Sequence, residues 1–183
     1  MIVICKLNDA IVLGTPGGES QKSPRLTARA IVRNDDGKYA VMYADKFRLY
    51  SLPGGGVDDG EDILTALERE VWEETGCTCD EVAELGIVQE NRYSQDFTQN
   101  SYYYIVNTHT KTNDIHLTES EIENKTSIQW HDFDRVYDLI TNPLQDTPQR
   151  KYLQARDKAA LDAYTSVRTS ILDKTSIDKP DIL

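Results

Sequence analysis

The chain predicts an α/β fold, and three features of its pattern point there. Strand-like runs separated by turn chemistry fill the first fifty residues. A glycine-rich loop then runs into an amphipathic helix that stops at Gly76. Beyond it, further strand patterns alternate with two helical ones, the last opened by Pro148.

Taken in order, residues 2–4 and 11–13 are two short strand-like pieces around Lys6, Asn8 and Asp9. Residues 14–24 are a loop rich in Gly, Pro and Ser. Residues 1–25 read as an N-terminal extension of one domain, 26–170 as its body and 171–183 as a polar tail. Residues 26–33 and 39–43 form a hairpin about Asn34-Asp35-Asp36-Gly37. Residues 49–52 lead as a strand into Pro53 and three glycines. After the helix, 82–93 and 101–108 are strands joined by a polar connection over 94–100. Alternation puts Tyr103 on one face and its tyrosine neighbours on the other, where they either pack or stack on a base. Residues 110–125 are polar, with Glu119, Glu121 and Glu123 alternating. A strand over 127–130 precedes a short helix capped by Asp132 and reaching Ile140. The last helix carries an apolar stripe of Leu153, Ala160, Tyr164 and Val167.

The 183 residues suffice for one domain with a sizeable core. Apolar residues make up 39% and charged residues 28%, the balance of a soluble globular chain. A net charge of −11 argues against long nucleic acids, whose phosphates need Lys and Arg, and leaves room for a small phosphorylated substrate bridged by a cation. Cys5, Cys77 and Cys79 fit no zinc spacing and suggest a reducing, cytoplasmic setting. No stretch is long and apolar enough to span a membrane, and Lys6 and Asp9 break any signal-peptide core.

The stretch from Gly54 to Cys77 organises the rest. Glu70, Glu73 and Glu74 are spaced to project from one side of the helix, where three like charges need a cation. Ile63, Leu67 and Val71, widened by Leu64, make the apolar stripe beside them. Asp59 and Gly60 are placed to cap the start, Asp62 adds charge to the first turn, and Gly76 ends the helix. Arg69, four residues before Glu73, can brace that carboxylate. Hard oxygen donors of this kind suit Mg²⁺ or Mn²⁺ rather than zinc. Glycines let backbone approach a phosphate or a metal with no Cβ in the way.

This stretch resembles the Nudix box, G-x5-E-x7-R-E-U-x-E-E-x-G-U with U apolar. Gly55, Glu61, Arg69-Glu70-Val71, Glu73-Glu74, Gly76 and Cys77 occupy its positions, and all seven fixed letters match. Cysteine stands where the family has a larger aliphatic residue, and it behaves as a small hydrophobe when buried. The resemblance implies an α/β/α sandwich around a central mixed sheet. It also implies a metal-dependent hydrolase cleaving the phosphoanhydride of a nucleoside diphosphate linked to another group. On that reading Glu70, Glu73 and Glu74 bind the metal with the Gly55 carbonyl as a further ligand, while Arg69 and Glu61 orient the carboxylates. The base is either Glu73 or a glutamate of the later loop, Glu121 foremost. Arg48, Arg150 and Arg156 are candidate phosphate contacts, and the three histidines have no ligand spacing. Other readings are a nucleotide-binding Nudix sensor without activity, an isomerase on the same fold, and a structural metal protein. Sensors tend to lose box glutamates, and none is lost. The isomerase needs a cysteine before the box, where only Cys5 stands. Spacing excludes an EF-hand. A homodimer through the N-terminal extension is compatible with the sequence.

Overall fold

The structure is a computed structural model describing residues 1–110 and 115–177, the last nine by backbone alone. Residues 178–183 of the expected tail, and 111–114 of the polar connection, lie outside the described residues. The strands are β1 (Val3–Asn8), β2 (Arg25–Asn34), β3 (Tyr39–Ala44), β4 (Leu49–Ser51), β5 (Gly54–Gly56), β6 (Glu81–Arg92), β7 (Phe97–Thr108) and β8 (Thr126–His131). The helices are α1 (Asp9–Val12), α2 (Ile63–Thr75), α3 (Glu119–Glu123), α4 (Phe133–Thr141) and α5 (Pro148–Ile177).

One mixed sheet runs β1-β6-β7-β2-β3-β4, with β5 alongside β2 and β8 alongside β3. Its spine is the parallel β2–β7 ladder, in register from Arg25↔Gln99 to Asn34↔Thr108. Period-two alternation on these strands makes two cores. Ala28, Ala30, Val32, Tyr104 and Val106 pack beneath Ala66, Leu67 and Val71 of α2. Ile31, Tyr103 and Val88 face the other way and pack with Tyr152, Leu161 and Tyr164 of α5 and Val136 and Ile140 of α4. Two helical layers therefore sandwich the sheet. The small alanines of β2 let α2 lie close on its face.

The hairpin, both long strands, β8 and the two later helices fall where the pattern puts them. Four details differ. The N-terminal pieces are not two strands: β1 is continuous to Asn8, whose side chain accepts the Ile11 N–H and caps α1. β1 then pairs parallel with β6. The 94–100 connection shrinks to one 3₁₀ turn over Tyr93–Gln95, because β7 begins at Phe97. Glu119–Glu123 is a helical turn, closed by a capping box between Thr118 and Glu121. Leu64 is 50% exposed and stands off the apolar stripe, which is carried by Ala66, Leu67 and Val71.

The start of α2 is also reassigned. Asp62, not Asp59 or Gly60, is the N-cap, and its carboxylate accepts the Leu64 and Thr65 N–H groups at 2.9 and 3.0 Å. Gly60, at φ 83°, instead completes the turn in which Glu61 N–H donates to the Asp58 carbonyl. Gly76, at φ 66°, closes the helix as expected.

This division of the α2 face is testable by urea denaturation. Leu67→Ala is expected to lower stability by about 3 kcal/mol, the usual cost of a cavity in a core. Leu64→Ala should change it by less than about 0.5 kcal/mol.

Candidate functional site

Two carboxylates of α2, Glu70 and Glu73, share the Arg69 guanidinium. Arg69 Nε and Nη2 donate to the two oxygens of Glu61, both at 2.9 Å, a bidentate pair. Nη1 donates to Glu70 at 2.8 Å and to Glu73 at 3.3 Å, and Nη2 also reaches the Gly56 carbonyl at 2.9 Å. Glu61 in turn accepts the Asp58 N–H at 3.0 Å. One guanidinium thus ties the turn before α2, two carboxylates of α2 and the glycine loop together. Hydrogen bonds from Arg69 hold the Glu61 carboxyl below its usual range, while the same partners raise the Arg69 pKa.

The glycine loop is shaped by what lies behind it. β5 pairs antiparallel with β2, Thr27↔Gly56 to Arg29↔Gly54. Gly54 has φ 125° and lies so close to the Ala28 carbonyl that no Cβ fits. A Cβ on Gly55 would collide with the Glu70 carboxylate. The Glu70 oxygens therefore occupy space that any other residue at 55 would fill. Burial raises the Glu70 pKa, against the pull of Arg69.

Glu74 is turned inward from its neighbours. It is buried, and its Oε2 accepts the Gly54 N–H at 2.6 Å. Desolvation raises its pKa well above the usual range, against the Gly54 N–H and the Arg29 charge, and the facing Glu121 carboxyl pushes it further. α3 thus brings Glu121 against Glu74, across 47 residues of chain. Glu121 is held by the Thr118 N–H at 2.7 Å and hydroxyl at 2.8 Å.

One stretch of loop is anchored to the end of α2, and another to the sheet and α5. The His116 N–H donates to the Glu73 carbonyl at 2.8 Å, and its ring stacks on Trp72 with centroids 4.3 Å apart. On the sheet side, Arg29 Nη1 donates to the Leu52 carbonyl at 3.1 Å. Asp157 of α5, fully buried, accepts the Leu52 N–H at 2.9 Å, the Tyr103 hydroxyl at 2.5 Å and Arg156 Nε at 3.0 Å.

The residues singled out by sequence therefore sort as follows. Gly55, Glu61, Arg69, Glu70, Glu73 and Glu74 lie together, and Glu121 joins them at Glu74. Arg156 is no surface phosphate contact: it is buried against Tyr103 and Asp157. Arg150 pairs with Asp146 and lies over the Phe47 ring, and Arg48 is exposed in the left-handed region. Tyr103 is a packing residue that bonds Asp157. Arg29 and Asp157 were not among the expected residues. The one available signal was a lone Asp in the mostly apolar face of α5, which reads as surface charge without a partner to place it.

The donor set suits a hard divalent cation, since it is all carboxylate beside a glycine backbone with no Cβ in the way. Among the described residues no three acidic, imidazole or thiol groups stand together as a finished metal cage. Glu70 and Glu73 are turned to Arg69, and Glu74 to Gly54.

A sandwich of this topology with a glycine loop laid on an acidic helix defines a Nudix-type domain. The chain belongs to that family: it matches the NUDIX domain over residues 23–155. A NUDIX hydrolase from Nitrosomonas europaea superposes with a TM-score of 0.60 at 21% identity, covering 79% of this chain and 90% of that one, a likeness of fold. An RNA pyrophosphohydrolase from Bartonella bacilliformis is 33% identical over 67 residues, 36% of this chain and 36% of that one. A putative 8-oxo-dGTP diphosphatase from Bacillus subtilis is 33% identical over 69 residues, 38% and 46%. The chain spans less than half the length of both these relatives.

The Arg69–Glu61 pair gives a pH signature. The Glu61 pKa is depressed by folding, so its contribution is present above the unfolded carboxylate pKa, about 4.3. It is lost as pH falls through the lower folded value. Urea denaturation of wild type and Glu61→Gln from pH 7 to pH 3 should therefore show a stability gap that narrows at the acid end. A gap constant with pH would refute the pairing.

Proposed function

We propose that this chain is a metal-dependent pyrophosphohydrolase that breaks a phosphoanhydride in a nucleoside diphosphate derivative. The observation that carries this reading is the Glu70 carboxylate packed into the space of the missing Gly55 Cβ, with Glu73 and Glu74 on the same helix. Glu70, Glu73, Glu74 and the Gly55 carbonyl are the groups that would hold Mg²⁺ or Mn²⁺. When bound, such an ion supplies positive charge at the diphosphate oxygens and acidifies water.

The chain's own residues supply the rest. Arg69 screens the repulsion among the glutamates and fixes Glu70 and Glu73 relative to the glycine loop. Glu61 holds Arg69 in that pose through two bonds. Glu121, partly exposed and facing Glu74, accepts the proton of the attacking water. The water oxygen bonds to phosphorus, the bridging P–O bond breaks, and the leaving phosphate keeps its electron pair. Arg29, whose charge acts on both Glu70 and Glu74, adds positive potential beside the departing group.

The names of the relatives add RNA and 8-oxo-dGTP to the substrates worth testing. A panel of nucleoside triphosphates, ADP-ribose, nucleotide sugars, dinucleoside polyphosphates and 5′-phosphorylated RNA, with Mg²⁺ and Mn²⁺, scores the products. Phosphate-product release that needs the metal is expected for at least one class. Tight binding with no turnover would point instead to a ligand sensor. Glu74→Gln should lower kcat by about 100-fold or more and weaken Mn²⁺ binding with the fold intact. Glu121→Gln should lower kcat by about 100-fold, with metal affinity retained and the pH–rate profile changed. An unchanged profile would move the base to Glu73.

A further inference from the structure

The residues before the glycine loop are held mostly by side chains. β4 ends at Ser51 and β5 begins at Gly54, so Leu52 and Pro53 lie between strands. Proline has no N–H to offer. Four bonds cover the gap. Asp157 Oδ2 accepts the Leu52 N–H at 2.9 Å, and Arg29 Nη1 donates to the Leu52 carbonyl at 3.1 Å. The Ala30 N–H donates to the Pro53 carbonyl at 3.0 Å, and the Gly54 N–H donates to Glu74 at 2.6 Å. The Leu52 peptide is thus gripped on both sides, two residues before the glycine that bonds a proposed metal ligand.

That grip is expensive. Asp157 is fully buried, and Arg156 is 3% exposed with Nη2 buried and unpartnered. Arg29 also has a buried Nε without a partner. Burying a carboxylate against a guanidinium carries a desolvation cost that their attraction repays only in good geometry, and apolar replacements often do as well for stability alone. Tyr103 sits on the same carboxylate at 2.5 Å, so Asp157 is braced from β7 as well as from α5. What the charges accomplish beyond packing is to join three elements, α5, β2 and β7, at one backbone peptide.

We propose that Asp157 is a positioning residue: with Arg29 it clamps the Leu52 peptide and so sets the glycine loop at its working distance from the carboxylates of α2. The inference rests on the hydrolase reading only for its kinetic consequence. Its structural consequence stands without it. The charge of Asp157 matters as well as its shape, because one carboxylate oxygen serves Tyr103 and Arg156 while the other serves Leu52. An amide offers only one acceptor oxygen to the three donors.

The test uses the full chain. Hydrogen exchange at the Leu52 and Gly54 amides, read by NMR without metal, is compared for the parent and Asp157→Asn. About tenfold faster exchange at both is expected, with amides in β7 unchanged. Mn²⁺ titrated into the variant should bind several-fold more weakly. With the best substrate, kcat should fall about 10- to 100-fold while KM moves less than about twofold, the signature of misplaced groups rather than lost binding. If Asp157→Asn does not fold, Arg29→Lys carries the test, since lysine keeps the charge but presents no planar fork to the Leu52 carbonyl. Parent-like exchange at Leu52 and Gly54 in the variant that folds overturns the clamp, whatever happens to melting temperature. A parent that hydrolyses nothing, with exchange responding as expected, overturns the hydrolase reading and keeps the clamp.

Discussion

The helix at the centre of this protein carries more negative charge on one side than a helix can hold alone. Two unit charges about 6 Å apart repel by roughly 3 kcal/mol at an effective dielectric near 20. Glu70, Glu73 and Glu74 form such pairs, and Glu61 and Glu121 approach from outside. The structure answers in two ways. Arg69 takes up Glu61, Glu70 and Glu73. Glu74 turns inward to a backbone N–H, where burial favours its protonated form. Both answers draw in the glycine loop, through the Gly56 carbonyl and the Gly54 N–H. The loop's place in the fold follows from balancing that charge.

The two faces of the sheet divide the work. The α2 face is packed with alanine and valine, and closeness there brings the acidic edge down to β5. The α5 face is aromatic and holds half-buried Arg29 and the buried polar groups of Tyr103, Arg156 and Asp157, and further along Thr27, Ser101, Gln99 and Glu90. Glycines at 54 and 55 let the site sit at the seam between the layers, because the chain there has no side chains to keep them apart.

Periodicity made the sandwich legible from the chain. The hairpin, the long strands and α2 are strong period-two and period-3.6 signals, and they stand where expected. The box was legible letter by letter because its spacing is local, within 23 residues. Errors gathered where local pattern and tertiary contact compete. Residues 2–4 and 11–13 look alike as apolar runs, yet Asp9 between them accepts the Ser94 N–H and the Tyr152 hydroxyl, which needs a helical turn there. Asp59 and Asp62 are both sound caps, and the turn at Gly60 chose between them. Leu64 fits a helical stripe within one residue, and only the direction of the sheet decides its face. Arg29, Arg156 and Asp157 were out of reach: Arg156 and Asp157 adjoin in sequence, but the Tyr103 hydroxyl and Leu52 peptide they bond lie 53 and 105 residues away, and each charge alone reads as surface.

The first strand has a consequence for how the protein is made. β1 pairs parallel with β6, so its ladder partners begin more than eighty residues later in the chain. Asp9, just after it, waits for Ser94, 85 residues on, and for Tyr152, 143 residues on. At synthesis rates of about 5–20 residues per second, β1 waits on the order of ten seconds for these neighbours to be made. Ile2, Val3 and Ile4 are an apolar run whose backbone pairing waits for β6. β1 is made before every other strand of this sheet, yet its place depends on residues as late as β6 and Tyr152.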